Sequence, residues 1–164
     1  MSLKKTNLSA YNPTTIPDAK KFIVGIVVSE WNHEVTSVLL EGATSTLLEH
    51  GVKKQNIIIE WVPGSFELPL AAQLLVDRTD VDAVICLGCV IQGETRHFDF
   101  ICSAVSEGIM DVNLTYTLPV IFGVLTTNTQ EQALERAGGK HGNKGVESAV
   151  AALKMMHLQD KYPD

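Results

Sequence analysis

Four short apolar runs, at residues 22–28, 56–62, 82–91 and 119–125, constrain this chain more than anything else in it. They are rich in Val and Ile and mostly continuous rather than alternating, the pattern of strands buried on both faces. Helical periodicity fills the gaps. After the first run, Val35, Val38, Leu39, Ala43, Thr46 and Leu47 share one helical face, with Asn32 as candidate N-cap and Gly51 as the stop. Residues 66–76 form a second expected helix, in which Pro69 is tolerable only in the first turn. Residues 95–116 form a long third, 130–137 a short fourth and 145–158 a fifth. This alternation predicts βαβ units with right-handed crossovers. The expected class is α/β: a three-layer α/β/α sandwich around a four-stranded parallel sheet.

A chain of 164 residues suffices for one domain with a real core. Its 13 basic and 19 acidic residues leave a net charge of −6, which argues against nucleic acid or an anionic membrane as the main partner. A local cationic pocket for a small phosphate is still allowed. No apolar run reaches the ~18 residues of a transmembrane helix, and the start lacks a signal-peptide core, so the expected location is cytoplasmic. Residues 1–20 are polar and broken by Pro13 and Pro17, the pattern of an extended arm; residues 159–164 read as a tail. Cys86 and Cys89 have C-x-x-C spacing but lie inside an apolar strand run, where positions three apart point to opposite faces. They and Cys102 read as unpaired thiols, with Cys86 and Cys89 as small core residues.

Polar or aromatic clusters fall directly after all four strands: Glu30, Trp31 and Asn32; Gly64 to Glu67; Gln92 to His97; and Thr126 to Asn128. Loops at the carboxyl edge of a parallel sheet converge, and ligands bind there. The third cluster is the most informative. Free N–H groups at the start of the following helix can take a phosphate, and His97 can move protons near neutral pH. Each residue also has a plainer reading. Trp31 is a hydrophobic staple or a stacking platform for a flat heterocycle. Glu67 gains ~0.3–1 kcal/mol from the helix dipole, or accepts from ligand hydroxyls. His97 is a surface histidine at a helix start, or an acid/base. Arg136, Lys140 and Lys144 surround a glycine-rich turn as C-cap cations or as an anion-binding patch. No Walker A pattern, nucleophile elbow or metal-ligand spacing occurs, so nucleotide hydrolysis, acyl-enzyme chemistry and a metal centre have no support.

Four motifs stand in register: Asn32 after an aromatic, Pro-Gly-Ser-Phe-Glu-Leu-Pro at 63–69, Gly-Glu-Thr-Arg-His-Phe-Asp at 93–99, and Ala-Leu-Glu-Arg-Ala-Gly-Gly-Lys-His-Gly-Asn-Lys-Gly at 133–145. Together they resemble the lumazine synthase (6,7-dimethyl-8-ribityllumazine synthase) family. The resemblance covers residues 21–158 as a single domain and implies a flavodoxin-like sandwich. It implies condensation of 5-amino-6-(D-ribitylamino)uracil with 3,4-dihydroxy-2-butanone 4-phosphate, giving the lumazine, phosphate and water, with neither cofactor nor metal. On this resemblance Trp31 stacks on the pyrimidine, while Ser65, Phe66 and Glu67 hold the ring and its ribityl chain. Cys89, Val90 and Ile91 line the ring pocket. Glu94 and Thr95 bind the phosphate, with Arg136 as its charge partner, and His97 is the catalytic histidine. Phe122 and Arg136 arrive from a neighbouring subunit, and Lys144 matches a basic residue near the site.

The chemistry suits those residue types. Amine attack, imine formation and phosphate elimination all shuttle protons, the work of a group with a pKa near ~6.5. An arginine fork stabilises the departing phosphate. Two positions depart from the family pattern: Trp31 stands where phenylalanine is common, and Arg96 where a small residue or proline is. The family forms pentamers, and the short 138–145 segment implies a 60-subunit icosahedral shell, with riboflavin synthase as the candidate enclosed partner. The arm would add to a neighbour's sheet. Two alternatives stand beside the synthase: a non-catalytic lumazine- or flavin-binding module, and a riboflavin synthase of the archaeal type. The latter needs no phosphate site.

Overall fold

A computed structural model describes residues 7–163. The main sheet takes β1 (Val24–Ser29), β2 (Ile57–Val62), β3 (Ala83–Ile91) and β4 (Val120–Thr127), all parallel, in the order β2-β1-β3-β4. The described residues form five α-helices: α1 (His33–Glu49), α2 (Leu68–Arg78), α3 (His97–Tyr116), α4 (Gln130–Glu135) and α5 (Lys144–Gln159). α1 and α5 cover one face of the sheet; α2 and α3 cover the other. This is the expected α/β/α sandwich with the flavodoxin-like layering.

The continuity of the apolar runs has a direct cause. Ile26 and Val28 of β1 enter the α1/α5 core, while Val27 between them enters the α2/α3 core. All of β1 is buried, so neither face can carry a polar residue without a partner. Each Val or Ile buried this way stabilises the fold by about 1.5–3 kcal/mol. Cys86 and Cys89 follow the same alternation: Cys86 lies in the α2/α3 core and Cys89 in the α1/α5 core. Both are free, and burial pushes their thiols up to about 12 and about 11.

Several local expectations change. The first helical turn expected at residue 66 is a 3-10 turn, Ser65–Glu67, and α2 begins at Leu68. β4 runs on to Thr127, so Thr126 and Thr127 belong to the strand rather than to a loop. The glycine-rich segment is not a simple turn between helices. α4 stops at Glu135, and β5 (Ala137–Gly139) pairs antiparallel with β6 (Gly142–Asn143). The hairpin needs left-handed backbone at Gly138 (φ +91°) and Gly142 (φ +89°), which glycine adopts without steric cost.

From residue 7 onward, the segment read as an extended arm lies against its own chain. Leu8 N–H donates to His141 O (3.1 Å), Tyr11 Oη meets His50 Nε2 (2.9 Å), and Ile16 and Ala19 join the α1/α5 core. Residues 1–6, the outermost part of that arm, lie outside the described residues. Among the described residues, no helix is long and apolar enough to cross a membrane.

Candidate active site

The connections diverge between β1 and β3. The chain leaving β1 turns to α1 on one face, and the chain leaving β3 turns to α3 on the other. That divergence opens a crevice at the carboxyl edge, the usual ligand position in such sheets. Hydrogen bonds tie the loops in pairs on either side of it. Glu30 N–H donates to Val62 O (2.8 Å), Trp31 N–H to Pro63 O (3.1 Å) and Gln92 N–H to Thr127 O (2.8 Å). Asn32 occupies the N-cap position of α1 but caps nothing. Its backbone is left-handed (φ 60°), and its Nδ2 donates to Cys89 O (2.9 Å), bridging β1 and β3.

Trp31 is 66% exposed, which removes the staple reading. Its indole rests on Gly64: a Cβ there would lie 2.5 Å from Trp31 Cε3. Gly64 N–H in turn donates to Glu67 Oε2 (2.9 Å). One carboxylate oxygen of Glu67 therefore fixes the loop, and Oε1 is left to accept from a ligand. Ser65 is buried, and its Oγ has no partner among the described residues. That hydroxyl nests over Gly88, where a Cβ would approach it to 2.5 Å. Phe66 is exposed beside it.

β3 contributes mainly backbone. The Cys89 thiol is buried in the core, while its carbonyl accepts from Asn32 at the crevice. Val90 and Ile91 pack against opposite cores. Beyond them Glu94, Thr95 and His97 are all exposed around the start of α3. The His97 ring makes no hydrogen bond or ion pair among the described residues; the His97 backbone N–H donates to Thr95 Oγ1 (3.4 Å). Arg96 turns along α3, with its guanidinium 5.8 Å from the Phe100 ring centroid and 3.8 Å from Asp99. The second cation thus lies along the outer face of α3.

Arg136 is placed elsewhere. It caps α4 on the α1/α5 side of the sheet, and no hydrogen bond or ion pair joins it to Glu94, Thr95 or His97 among the described residues. Its guanidinium makes a two-pronged bond to Glu147, Nη1–Oε1 at 2.7 Å and Nη2–Oε2 at 3.0 Å, and Nη1 also donates to His141 O (2.8 Å). Lys144 Nζ lies 3.5 Å from the same Glu147 carboxylate, and Lys140 pairs with Glu135. The expected basic patch is thus a paired network. Phe122, on edge strand β4, is half-buried against the α2/α3 core.

Sequence reasoning missed Glu147, the seat that Gly64 gives the Trp31 indole, and the Asn32 bridge. The only local signal for Glu147 is its i,i+3 spacing from Lys144. Grooves of about 330 and 480 Å³ lie at the opposite, amino edge of the sheet, lined by residues such as Phe22, Leu118 and Tyr162. They stand apart from the four loops. Among the described residues, no three His, Cys, Asp or Glu side chains group to hold a metal.

The comparisons with known proteins agree with one another. Residues 21–160 match the family model described as 6,7-dimethyl-8-ribityllumazine synthase. A protein of that name from Cytophaga hutchinsonii is 62% identical over 156 residues, 95% of this chain and 98% of its own. One from Porphyromonas gingivalis is 56% identical over 153 residues, covering 93% and 95%. One from Parabacteroides distasonis is 52% identical over 158 residues, covering 96% and 99%.

Proposed function

The chain belongs to the 6,7-dimethyl-8-ribityllumazine synthase family, and on that premise we propose that it condenses 5-amino-6-(D-ribitylamino)uracil with 3,4-dihydroxy-2-butanone 4-phosphate. The products are 6,7-dimethyl-8-ribityllumazine, phosphate and water, in the penultimate step of riboflavin biosynthesis. The observation that carries this reading is the crevice between β1 and β3. It sets an exposed indole, a half-committed carboxylate, an open helix start and an exposed histidine on one sheet edge.

Trp31 stacks on the pyrimidine, with Phe66 beside it. Glu67 Oε1 accepts from ribityl hydroxyls, and the Ser65 hydroxyl and the backbone of Cys89, Val90 and Ile91 border the ring. Glu94 and Thr95 present the α3 start to the phosphate. The substrate amine attacks the ketone carbon and water leaves to give an imine; phosphate is then eliminated, and ring closure expels water again. His97 carries protons through these steps. Much of the remaining rate comes from holding two reactants together, which turns a bimolecular encounter into a local one.

Arg136 and Phe122 complete the site from a neighbouring copy, with Lys144 close by. The separation of Arg136 from His97 within one chain supports this arrangement. So does the outer strand β2, where Ile59 and Trp61 remain 40% and 39% exposed. A pentamer is the assembly, and the short 138–145 segment favours a 60-subunit shell that could hold riboflavin synthase. The unpaired thiols suit a reducing cytoplasm.

Mixing the protein with both substrates tests the reaction. Lumazine absorbance and fluorescence should rise together with released phosphate. Active-quality substrates left unchanged would refute the synthase reading. Native mass measurement tests the shell, and pentamers alone would exclude it.

A further inference from the structure

An arginine fork that must bind phosphate is expected to be empty-handed, yet Arg136 is already occupied. Both of its terminal nitrogens donate to Glu147, at 2.7 and 3.0 Å, and the two side chains are only 18% and 20% exposed. A guanidinium offers the same planar pair of donors to a carboxylate and to a phosphate, so the two acceptors compete for one geometry. We propose that Glu147 is a resident stand-in for the phosphate: it holds Arg136 between turnovers, and the phosphorylated ketone must displace it. The proposal rests on the reading that Arg136 binds the substrate's phosphate.

Two features make the exchange workable. Arg136 Nη1 also donates to His141 O at 2.8 Å, so the guanidinium stays anchored to the β5–β6 hairpin when the carboxylate leaves. Lys144 Nζ already lies 3.5 Å from Glu147 Oε2, so the displaced carboxylate has a cation to move to. Glu147 also lowers the charge of the Arg136–Lys144–Glu147 trio from two positive to one. Phosphate is thereby bound less tightly than two free cations would bind it. After elimination, the returning carboxylate helps expel inorganic phosphate.

Glu147→Gln keeps the side chain's shape and removes its charge. Inorganic phosphate should then inhibit roughly tenfold to a hundredfold more strongly, and KM for the phosphorylated ketone should fall. KM for the pyrimidine should not move. If Glu147 merely staples the hairpin to α5, phosphate inhibition stays unchanged while Tm falls and both KM values rise, and the proposal is overturned. Arg136→Ala separates the two claims. It should raise KM for the ketone alone; an unchanged value sinks the phosphate reading itself, whatever Glu147→Gln does. Should Glu147→Gln fail to fold, a structure of the unaltered protein with inorganic phosphate decides. The expected result is Arg136 on phosphate and Glu147 on Lys144. Phosphate bound elsewhere with the Arg136–Glu147 bonds intact would contradict it.

Discussion

At the β3–α3 corner, Glu94, Thr95 and His97 stand exposed and make no side-chain ion pair among the described residues. At the α4–α5 corner, Arg136, Lys140 and Lys144 each face a carboxylate, and Asn143 clamps the start of α5 through Oδ1 while Nδ2 donates to Val38 O (3.0 Å). Both corners are candidates for one phosphate, yet they lie on opposite sides of the sheet. The difference teaches how their labour divides. On the proposed reading, the open corner follows moving protons and a departing anion. The paired corner holds its charge in a fixed geometry, with Glu147 as the proposed competitor in place.

The largest expected effect lies at the open corner. His97→Ala should lower kcat by about a hundredfold or more, the usual contribution of a positioned acid/base, without abolishing turnover. Its Tm should scarcely change, because the exposed ring has no partner to lose among the described residues. Steady-state kinetics with a melting curve checks both; a large Tm loss would make His97 a structural residue and break the contrast.

The same contrast recurs among the thiols. Cys86 and Cys89 are locked in the two cores, whereas Cys102 is half-buried on α3. Burial holds the first two thiols neutral up to about 12 and about 11, against an ordinary 9.0. Between those values the unfolded chain loses protons that the folded chain keeps. Stability from this source is complete below about pH 9 and is lost as pH rises through the folded values. Denaturant midpoints from pH 8 to 10.5 should fall, and a maleimide should label Cys102 well before the other two. Equal labelling of all three in folded protein would contradict the core placement.

Smallest is the difference in stability between the corners. Asn143→Ala removes a cap whose Oδ1 accepts from Gly145 N–H (2.8 Å) and should cost about 1–2 kcal/mol. Thr95→Ala at the exposed corner should stay within about 0.5 kcal/mol of the parent. Paired urea titrations decide; equal losses would mean that the open corner is also structural.

The sheet was legible because its strands are buried on both faces, which forces unbroken apolar runs such as residues 22–28. The convergence of the four loops followed, since parallel strands put all their carboxyl ends together. What stayed hidden depends on partners far along the chain or on very short elements. β5 and β6 span three and two residues, too few for any periodicity to show. Asn32 looked like an ordinary N-cap, but its left-handed backbone aims the amide 57 residues away, at Cys89. The basic character of Arg136 was legible; its bond to Glu147 depends on the hairpin folding back onto α5.

The central claim is that the open and paired corners meet only between copies. His97→Ala and Arg136→Ala proteins, unfolded together in equal amounts and reassembled, test it directly. With substrate held low, each variant alone should be nearly inactive. Random mixing should restore lumazine formation to about one quarter of the unaltered protein, because that share of interfaces pairs an intact His97 with an intact Arg136. No gain over the separate variants, in mixed assemblies verified by mass, would place both residues in one chain's site and contradict the claim.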